Sequence, residues 1–155
     1  MSGRIRAKLA ELGLTLPPVS RPVANYLPWT QSGTLLFISG QVPLREGKVA
    51  IAGRLGAEVQ LEEGREAARL CALHLLAQAE AALGDLDRIR RCLRVGGFVA
   101  CTPEFTDHPQ VINGASDLLV AVLGEAGRHA RVAVGVPSLP LNAAVEVEAL
   151  FEVAD

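Results

Sequence analysis

The sequence predicts a single α+β domain in which two long helices cover one face of a mixed β-sheet. Apolar residues recur at helical spacing over Leu61–Leu83 and Pro109–Leu123, and a glycine ends each segment. From Arg131 onward, two segments alternate apolar and polar residues, which is typical of strands. Leu35–Ile38 is apolar on both faces of its predicted strand. Because two helices can cover only one side of the sheet, we expect other copies of the chain to cover the second side.

The remaining elements are shorter. We predict a short helix at 3–12 and a proline-rich arm at 14–28. Strands at 34–39 and 48–52 are predicted to form a hairpin through a turn at 45–47. A long strand is predicted at 89–101, with a bulge or a close contact at Gly96 and Gly97. We therefore divide the chain into an N-terminal helix and arm, 1–25, and a single domain, 26–155.

Composition excludes several classes of protein. The 155 residues fit one domain, and with half of them apolar but only six aromatic, the core must be aliphatic. The net charge of −2 comes with no basic face, so we do not expect a nucleic-acid partner. No apolar run is long enough to span a bilayer, and the first residues lack an apolar signal core. We therefore expect a cytoplasmic protein without a membrane partner.

The three cysteines form no C-x-x-C pattern, so we predict free, buried thiols at Cys71, Cys92 and Cys101. A catalytic dyad of Cys71 with His74, one helical turn away, is an alternative, but this face is mostly Ala and Leu.

A metal site built from residues near His108 is conceivable, because Cys101 and Asp107 are close to it in sequence. No recognised ligand spacing supports it, and we predict none. Asp107 is better explained as the N-cap of the second long helix, with Pro109 in its first turn.

The strand that begins at Arg131 carries the first candidate functional residue. Its alternation points Arg131, Ala133 and Gly135 to one face and three valines to the other, aliphatic face, which we expect to be buried. A planar guanidinium beside such small neighbours has space for a carboxylate ligand. Glu146, at the start of the next strand, is predicted on the same polar side as Arg131, where it would activate a water molecule.

The motif R-x-x-V-x-V-x-x-L-P-x-x-x-x-V-E-V-E-A at 131–149 resembles the signature of the Rid family, the YjgF-type reactive-intermediate deaminases. Phe37-Ile-Ser-Gly-Gln-Val-Pro43, Asn25-Tyr26 and Val111-Ile-Asn113 also resemble family motifs, in one consistent order from Tyr26 to Val153. The resemblance implies a chorismate-mutase-like fold and a homotrimer with its sheets inward and ligand clefts between subunits. The N-terminal extension indicates a distinct RidA-like subgroup.

The resemblance also implies roles for individual residues. Arg131 would hold the substrate carboxylate, and Glu146 would orient the attacking water. The other implied cleft residues are Tyr26, Ser39, Gly40, Asn113 and Ala133, the last at a position where some members have Cys.

The implied reaction is the hydrolysis of 2-imino acids to 2-keto acids and ammonia, without a metal or an organic cofactor. One alternative is a trimeric protein of the same fold that binds small acids without turnover. A second is an endoribonuclease, a label given to some family members. We disfavour it because the chain is acidic, poor in aromatic residues and without paired catalytic histidines.

Overall fold

The structure, a computed structural model, describes residues 3–19 and 24–155 and confirms the mixed α+β architecture. Five strands form one sheet in the order β1-β2-β7-β5-β6, and β3 and β4 form a separate small hairpin. Two long helices pack on one face of the large sheet. The helices are α1 (Arg4–Glu11), α2 (Leu61–Leu83) and α3 (His108–Leu123), and the strands are β1 (Trp29–Ser32), β2 (Leu35–Gln41), β3 (Leu44–Arg45), β4 (Lys48–Val49), β5 (Ile89–Ala100), β6 (Ala130–Val136) and β7 (Val145–Val153).

Helix α2 has the predicted bounds because both of its ends are capped. At its start, Gln60 and Glu63 form a capping box, in which the Glu63 carboxylate accepts a hydrogen bond of 2.8 Å from the Gln60 backbone N–H. At its end, Gly84 adopts φ 78°, a left-handed conformation that glycine reaches without strain. The helix contributes more than any other element to the buried core.

Helix α3 approaches α2 closely at Gly114. A Cβ atom at this position would overlap the backbone carbonyl of Arg65 in α2. Glycine inside a helix costs about 1 kcal/mol relative to alanine. Here the missing side chain allows the two helix backbones to come into contact, which sets the position of the neighbouring Asn113 and Ser116.

Strand β7 behaves as its alternation predicts. Every second side chain is buried against the helices, and the residues between them lie on the opposite, outer face of the sheet. The buried set is Val145, Val147, Ala149, Phe151 and Val153.

Strand β6 corrects the expectation that it buries its valines. It pairs in parallel with β5, with Arg131 in register with the buried Val95, so the face carrying Arg131 is turned toward the helices. Val132 and Val134 lie on the outer face, 42% and 44% exposed. Together with the exposed Phe37, they leave apolar surface uncovered on a single chain, as expected if other copies cover it.

The region around β2 also differs from the prediction. Residues 48–49 pair with β3 and not with the predicted strand 34–39, because Glu46 and Gly47 take positive φ values of 55° and 78° and close a tight two-residue turn. Strand β2 instead pairs with β7 on one side and, on the other, with β1, which the sequence did not reveal. In β5, one of the two alternatives predicted at Gly96 and Gly97 is found. The register shifts lie between 89 and 94, so the bulge is not at these glycines. The predicted close contacts are there, with Glu148 against Gly96 and Ile112 against Gly97.

Helix α1 packs on the domain through Ile5 and Leu9, both buried in the common core. The Asp87 carboxylate accepts hydrogen bonds from the backbone N–H groups of Arg4 (2.7 Å) and Ile5 (2.8 Å) at the start of this helix. The predicted arm includes residues 20–23, which lie outside the described residues. Within the described ranges, no helix has the length and apolar character to cross a membrane.

Candidate functional site

Arg131 is held in place by two side chains of α3. Its Nη1 donates hydrogen bonds to Asn113 Oδ1 (2.8 Å) and Ser116 Oγ (3.1 Å). Asn113 and Ser116 are three residues apart and therefore lie on the same side of the helix. The guanidinium is fixed by neutral partners, and no carboxylate among residues 3–19 and 24–155 forms an ion pair with it. Its positive charge is consequently not neutralised by any carboxylate in these two ranges.

His129 extends this hydrogen-bonded chain and has a defined tautomer. Its Nδ1 lies 2.6 Å from the Gly127 carbonyl oxygen, which can only accept, so Nδ1 carries the proton. Burial lowers the pKa of His129, and the nearby positive charge of Arg131 lowers it further, whereas the hydrogen bond to Gly127 raises it. The net effect is a lowered pKa, so the ring is neutral at pH 7. The bare Nε2 then accepts from the Ser116 hydroxyl at 2.9 Å. That leaves the Ser116 oxygen as the acceptor for Arg131.

Glu146 lies on the other face of the sheet, which corrects the expectation that it shares a side with Arg131. The alternation of β7 turns it away from the buried Val145 and Val147, whereas Arg131 is turned toward α3. Its carboxylate lies against Gly40, where any Cβ atom would overlap it. Burial, with a smaller contribution from the charge of Glu148, raises the pKa of the Glu146 carboxyl.

Ser39 lies in β2 next to Gly40, and Tyr26 belongs to the segment that precedes β1. The Ser39 hydroxyl donates a 2.7 Å hydrogen bond to the carbonyl of Leu27 and so ties the segment after Tyr26 to β2. The Tyr26 side chain is 57% exposed. The structure thus divides the predicted residues into two groups. The helix-side group is Arg131, Asn113 and Ala133, and the outer-face group is Ser39, Gly40 and Glu146, with Tyr26 in the segment that Ser39 holds.

Ser116 is the functional candidate that sequence reasoning missed. It links His129 to Arg131, and the only signal for it was its spacing of three residues from Asn113 on a predicted helix. A serine in the middle of a helix gives no functional signal in the sequence alone, because its role depends on its tertiary partners.

The Cys71–His74 dyad considered above does not form. Cys71 Sγ donates to the Val145 carbonyl (3.7 Å), and His74 Nε2 contacts the Leu44 carbonyl (2.9 Å). All three cysteines are free and buried, as predicted. Asp107 occupies the N-cap position of α3 but makes no side-chain cap bond.

Cys101 and His108 do come together, with Sγ and Nε2 3.4 Å apart. No cluster of three or more His, Cys, Asp or Glu side chains that could hold a metal ion occurs in the described parts of the chain.

Comparison with known proteins places this geometry in a family. Residues 6–153 match the family described as "YjgF/chorismate_mutase-like, putative endoribonuclease". Protein TCP17 of Trypanosoma cruzi is 49% identical over 152 residues, which cover 97% of this chain and 95% of that protein.

Solved structures agree with this assignment. A protein of unknown function from Agrobacterium tumefaciens is 52% identical, with a TM-score of 0.91 over 97% of this chain and 92% of its own. A "putative endoribonuclease" from Shewanella oneidensis is 38% identical, with a TM-score of 0.93 over 96% and 99% of the two chains. The YjgF gene product of E. coli shares the fold at 22% identity and a TM-score of 0.63, over 86% and 92%. The chain therefore belongs to the YjgF/chorismate mutase-like family, in agreement with the motifs of its C-terminal strands.

Proposed function

We propose that this protein hydrolyses reactive 2-imino acids to 2-keto acids and ammonia, with the substrate carboxylate bound by Arg131. The observation that carries the proposal is that this arginine is held in a fixed orientation without an ion-pair partner among the described residues. It is oriented by Asn113 and Ser116 and has no carboxylate partner in the described chain. A guanidinium in this state suits a small anionic ligand, because it can form two parallel charge-assisted hydrogen bonds with a carboxylate.

The imine carbon of a bound 2-imino acid is next to the carboxylate and is thereby positioned for attack by water. Addition of water to the C=N bond gives a carbinolamine. Its collapse releases ammonia and leaves the 2-keto acid, so the reaction needs only water and proton transfers. Positioning and one acid–base group are sufficient for a substrate of this reactivity.

Glu146 is the proposed acid–base group. Its raised pKa brings the carboxyl closer to the working pH, where a group can both accept a proton from water and return it to the leaving amine. Because Arg131 and Glu146 lie on opposite faces of one sheet, we infer that a productive site combines Arg131 of one subunit with Glu146 of a neighbouring subunit. Tyr26, Ser39 and Gly40 would come from the same subunit as that Glu146. A homotrimer with its sheets inward is the assembly that we propose.

The proposal is tested by measuring 2-imino acid hydrolysis. A dehydratase generates 2-iminopropionate or 2-iminobutyrate in the assay, and semicarbazide traps the imine that remains. We expect the protein to reduce trapping, and Arg131→Ala to lose at least ~10²-fold in activity because orientation and charge pairing fail together.

Arg128→Ala is the matched control. Arg128 is a nearby, exposed arginine that pairs with Glu125, and its removal should leave activity unchanged. A wild-type protein of normal oligomeric size that binds 2-keto acids without accelerating hydrolysis would instead identify the non-catalytic binding protein.

The relatives described as endoribonucleases provide the other candidate activity. A protein with a net charge of −2 is a poor match for a polyanion. RNA cleavage by wild type that is lost in Arg131→Ala, with no imine hydrolysis, would replace the present proposal.

A further inference from the structure

A second cluster of reactive side chains lies at the opposite end of β6 from the arginine site. Gly135 is four residues beyond Arg131, or about 13 Å along an extended strand. Next to it, Cys101 and His108 line an open cleft of about 460 Å³, together with Arg54, Thr102 and Phe105. None of these residues contributes to the proposed imine site.

The geometry of the pair is that of a thiol beside a base. The sulfur of Cys101 is 3.4 Å from His108 Nε2. Phe105 holds the imidazole ring in an edge-to-face contact, with centroids 5.6 Å apart and planes at 85°. At Gly135, a Cβ atom would overlap both the sulfur and the imidazole, so the absence of a side chain there keeps the space that the pair occupies.

The other two cysteines have no such surroundings. Cys71 is fully buried and bonds to a backbone carbonyl, and burial raises its pKa well above the usual range. Burial raises the pKa of Cys92 to about 12. Burial also raises the pKa of Cys101, but a hydrogen bond from Val136 and the charge of Arg54 oppose it. The Cys101 thiol therefore keeps its proton at neutral pH and requires a base in order to react.

We propose that Cys101 and His108 form a second reactive site, in which the thiol adds reversibly to the carbonyl carbon of a small anionic aldehyde or ketone. The sulfur forms a bond to the carbon while its proton passes to His108 Nε2. The electron pair of the C=O π bond moves to the oxygen, which takes the proton back from His108. The product is a hemithioacetal, or a hemithioketal from a ketone, whose new hydroxyl is uncharged and whose anionic group is unchanged, and no further reagent is consumed. Arg54, at the wall of the same cleft, would pair with the anionic group.

Alkylation of the full-length, folded protein tests this proposal with the other cysteines as internal references. The protein is treated with iodoacetamide at neutral pH, and mass spectrometry follows modification of each cysteine separately. We expect Cys101 to react at least ~10²-fold faster than Cys71 and Cys92, and all three to react at similar rates in denaturant.

Two variants separate base assistance from simple exposure. His108→Gln should slow Cys101 alkylation at least ~10-fold, because the proton acceptor is lost. Gly135→Ala, which keeps both reactive groups but forces them apart, should also slow it. A rate unchanged in both variants would mean that Cys101 is merely reachable, and the proposal would fail. An unfolded variant would be recognised by equal reaction of all three cysteines.

The ligand class is tested with charged and neutral probes. Arg54→Gln should lower the rate with iodoacetate more than the rate with iodoacetamide. Glyoxylate, a small anionic aldehyde, should protect Cys101 saturably, and dialysis should restore its reactivity. Absence of protection by glyoxylate would overturn the carbonyl assignment, and an equal effect of Arg54→Gln on both reagents would overturn the anionic one.

Discussion

The helix-covered face of the sheet and its outer face carry the two halves of the proposed imine site, and they are built differently. On the helix side, Arg131 is fixed within one chain by hydrogen bonds to Asn113 and Ser116. On the outer face, Glu146 lies against Gly40, and the same face carries exposed apolar side chains such as Phe37, which pairs with Leu150 farther along β7. The comparison teaches that the position of Arg131 is set within a single chain, whereas the surroundings of Glu146 depend on what covers the outer face.

Two phenylalanines test the difference between the faces most strongly. Phe151→Ala, on the buried side of β7, should lower the free energy of unfolding by about 3–5 kcal/mol, because it leaves a cavity in the core. Phe37→Ala, on the outer face, should lower the free energy of unfolding of the subunit much less, but it should weaken the association of subunits. Guanidinium unfolding and sedimentation velocity over a range of protein concentrations measure the two effects. Equal destabilisation with unchanged association would show that the outer face is not an interface.

Subunit mixing tests whether the two halves meet across an interface. Arg131→Ala and Glu146→Gln should each be inactive alone. Random reassembly of equal amounts into trimers should restore about a quarter of wild-type activity, since three quarters of the trimers are mixed and each of these regains one of its three sites. Activity that stays at the level of the separate variants after verified exchange would place both residues of a working site in one chain.

Ser116 tests the precision of the helix-side half. Ser116→Ala removes one of the two acceptors of Arg131 and leaves His129 Nε2 without its donor. We expect a loss of roughly 1 kcal/mol, or about fivefold in kcat/KM, mainly through KM for the carboxylate substrate. Ser116→Thr keeps the hydroxyl and should retain more activity. A loss confined to kcat, with KM unchanged, would argue against a positioning role.

The smallest expected effect is the contribution of Glu146 to the pH dependence of folding stability. Its folded-state pKa lies above the unfolded value, so between the two pKa values the folded state binds more protons, and stability falls as the pH rises through this window above about 4.5. Glu146→Gln removes the ionisation. Its Tm relative to wild type should therefore increase from pH 4 to pH 7, with Glu152→Gln as an exposed-face control. A constant difference in Tm would contradict the raised pKa.

The fold was largely predictable from the sequence because its signals are local. Helix α2 was located to the residue by its apolar face and the glycine after it, Gly84, and β7 by strict alternation. The β1 strand was missed because Trp29–Ser32 has only four residues and all but Trp29 are exposed, so no alternation of apolar and polar residues marks it. The turn at Glu46–Gly47 was recognised, but its tight geometry, which pairs only its immediate flanks, was not.

The candidate site was less predictable because it depends on pairing between distant strands. Arg131 and its small neighbours were identified, but the side of the sheet that they face is decided by the parallel register of β6 with β5, and alternation alone does not reveal which face is buried. The same limit explains the wrong placement of Glu146 beside Arg131. The link of Ser116 to His129 and the contact of Cys101 with His108 became visible only in the tertiary structure, because spacing along the chain does not show which side chains meet.

The contact of Gly114 with the carbonyl of Arg65 has a consequence for ligand affinity. Gly114 lies between Asn113 and Ser116, so the separation of the two helix backbones determines how far both acceptors reach toward Arg131. A single added methyl group there would displace α3 outward and carry both acceptors with it. In the proposed site, discrimination between substrates of different size would then change through the spacing of two helices, set by a glycine that lies outside the group of residues proposed to bind the substrate.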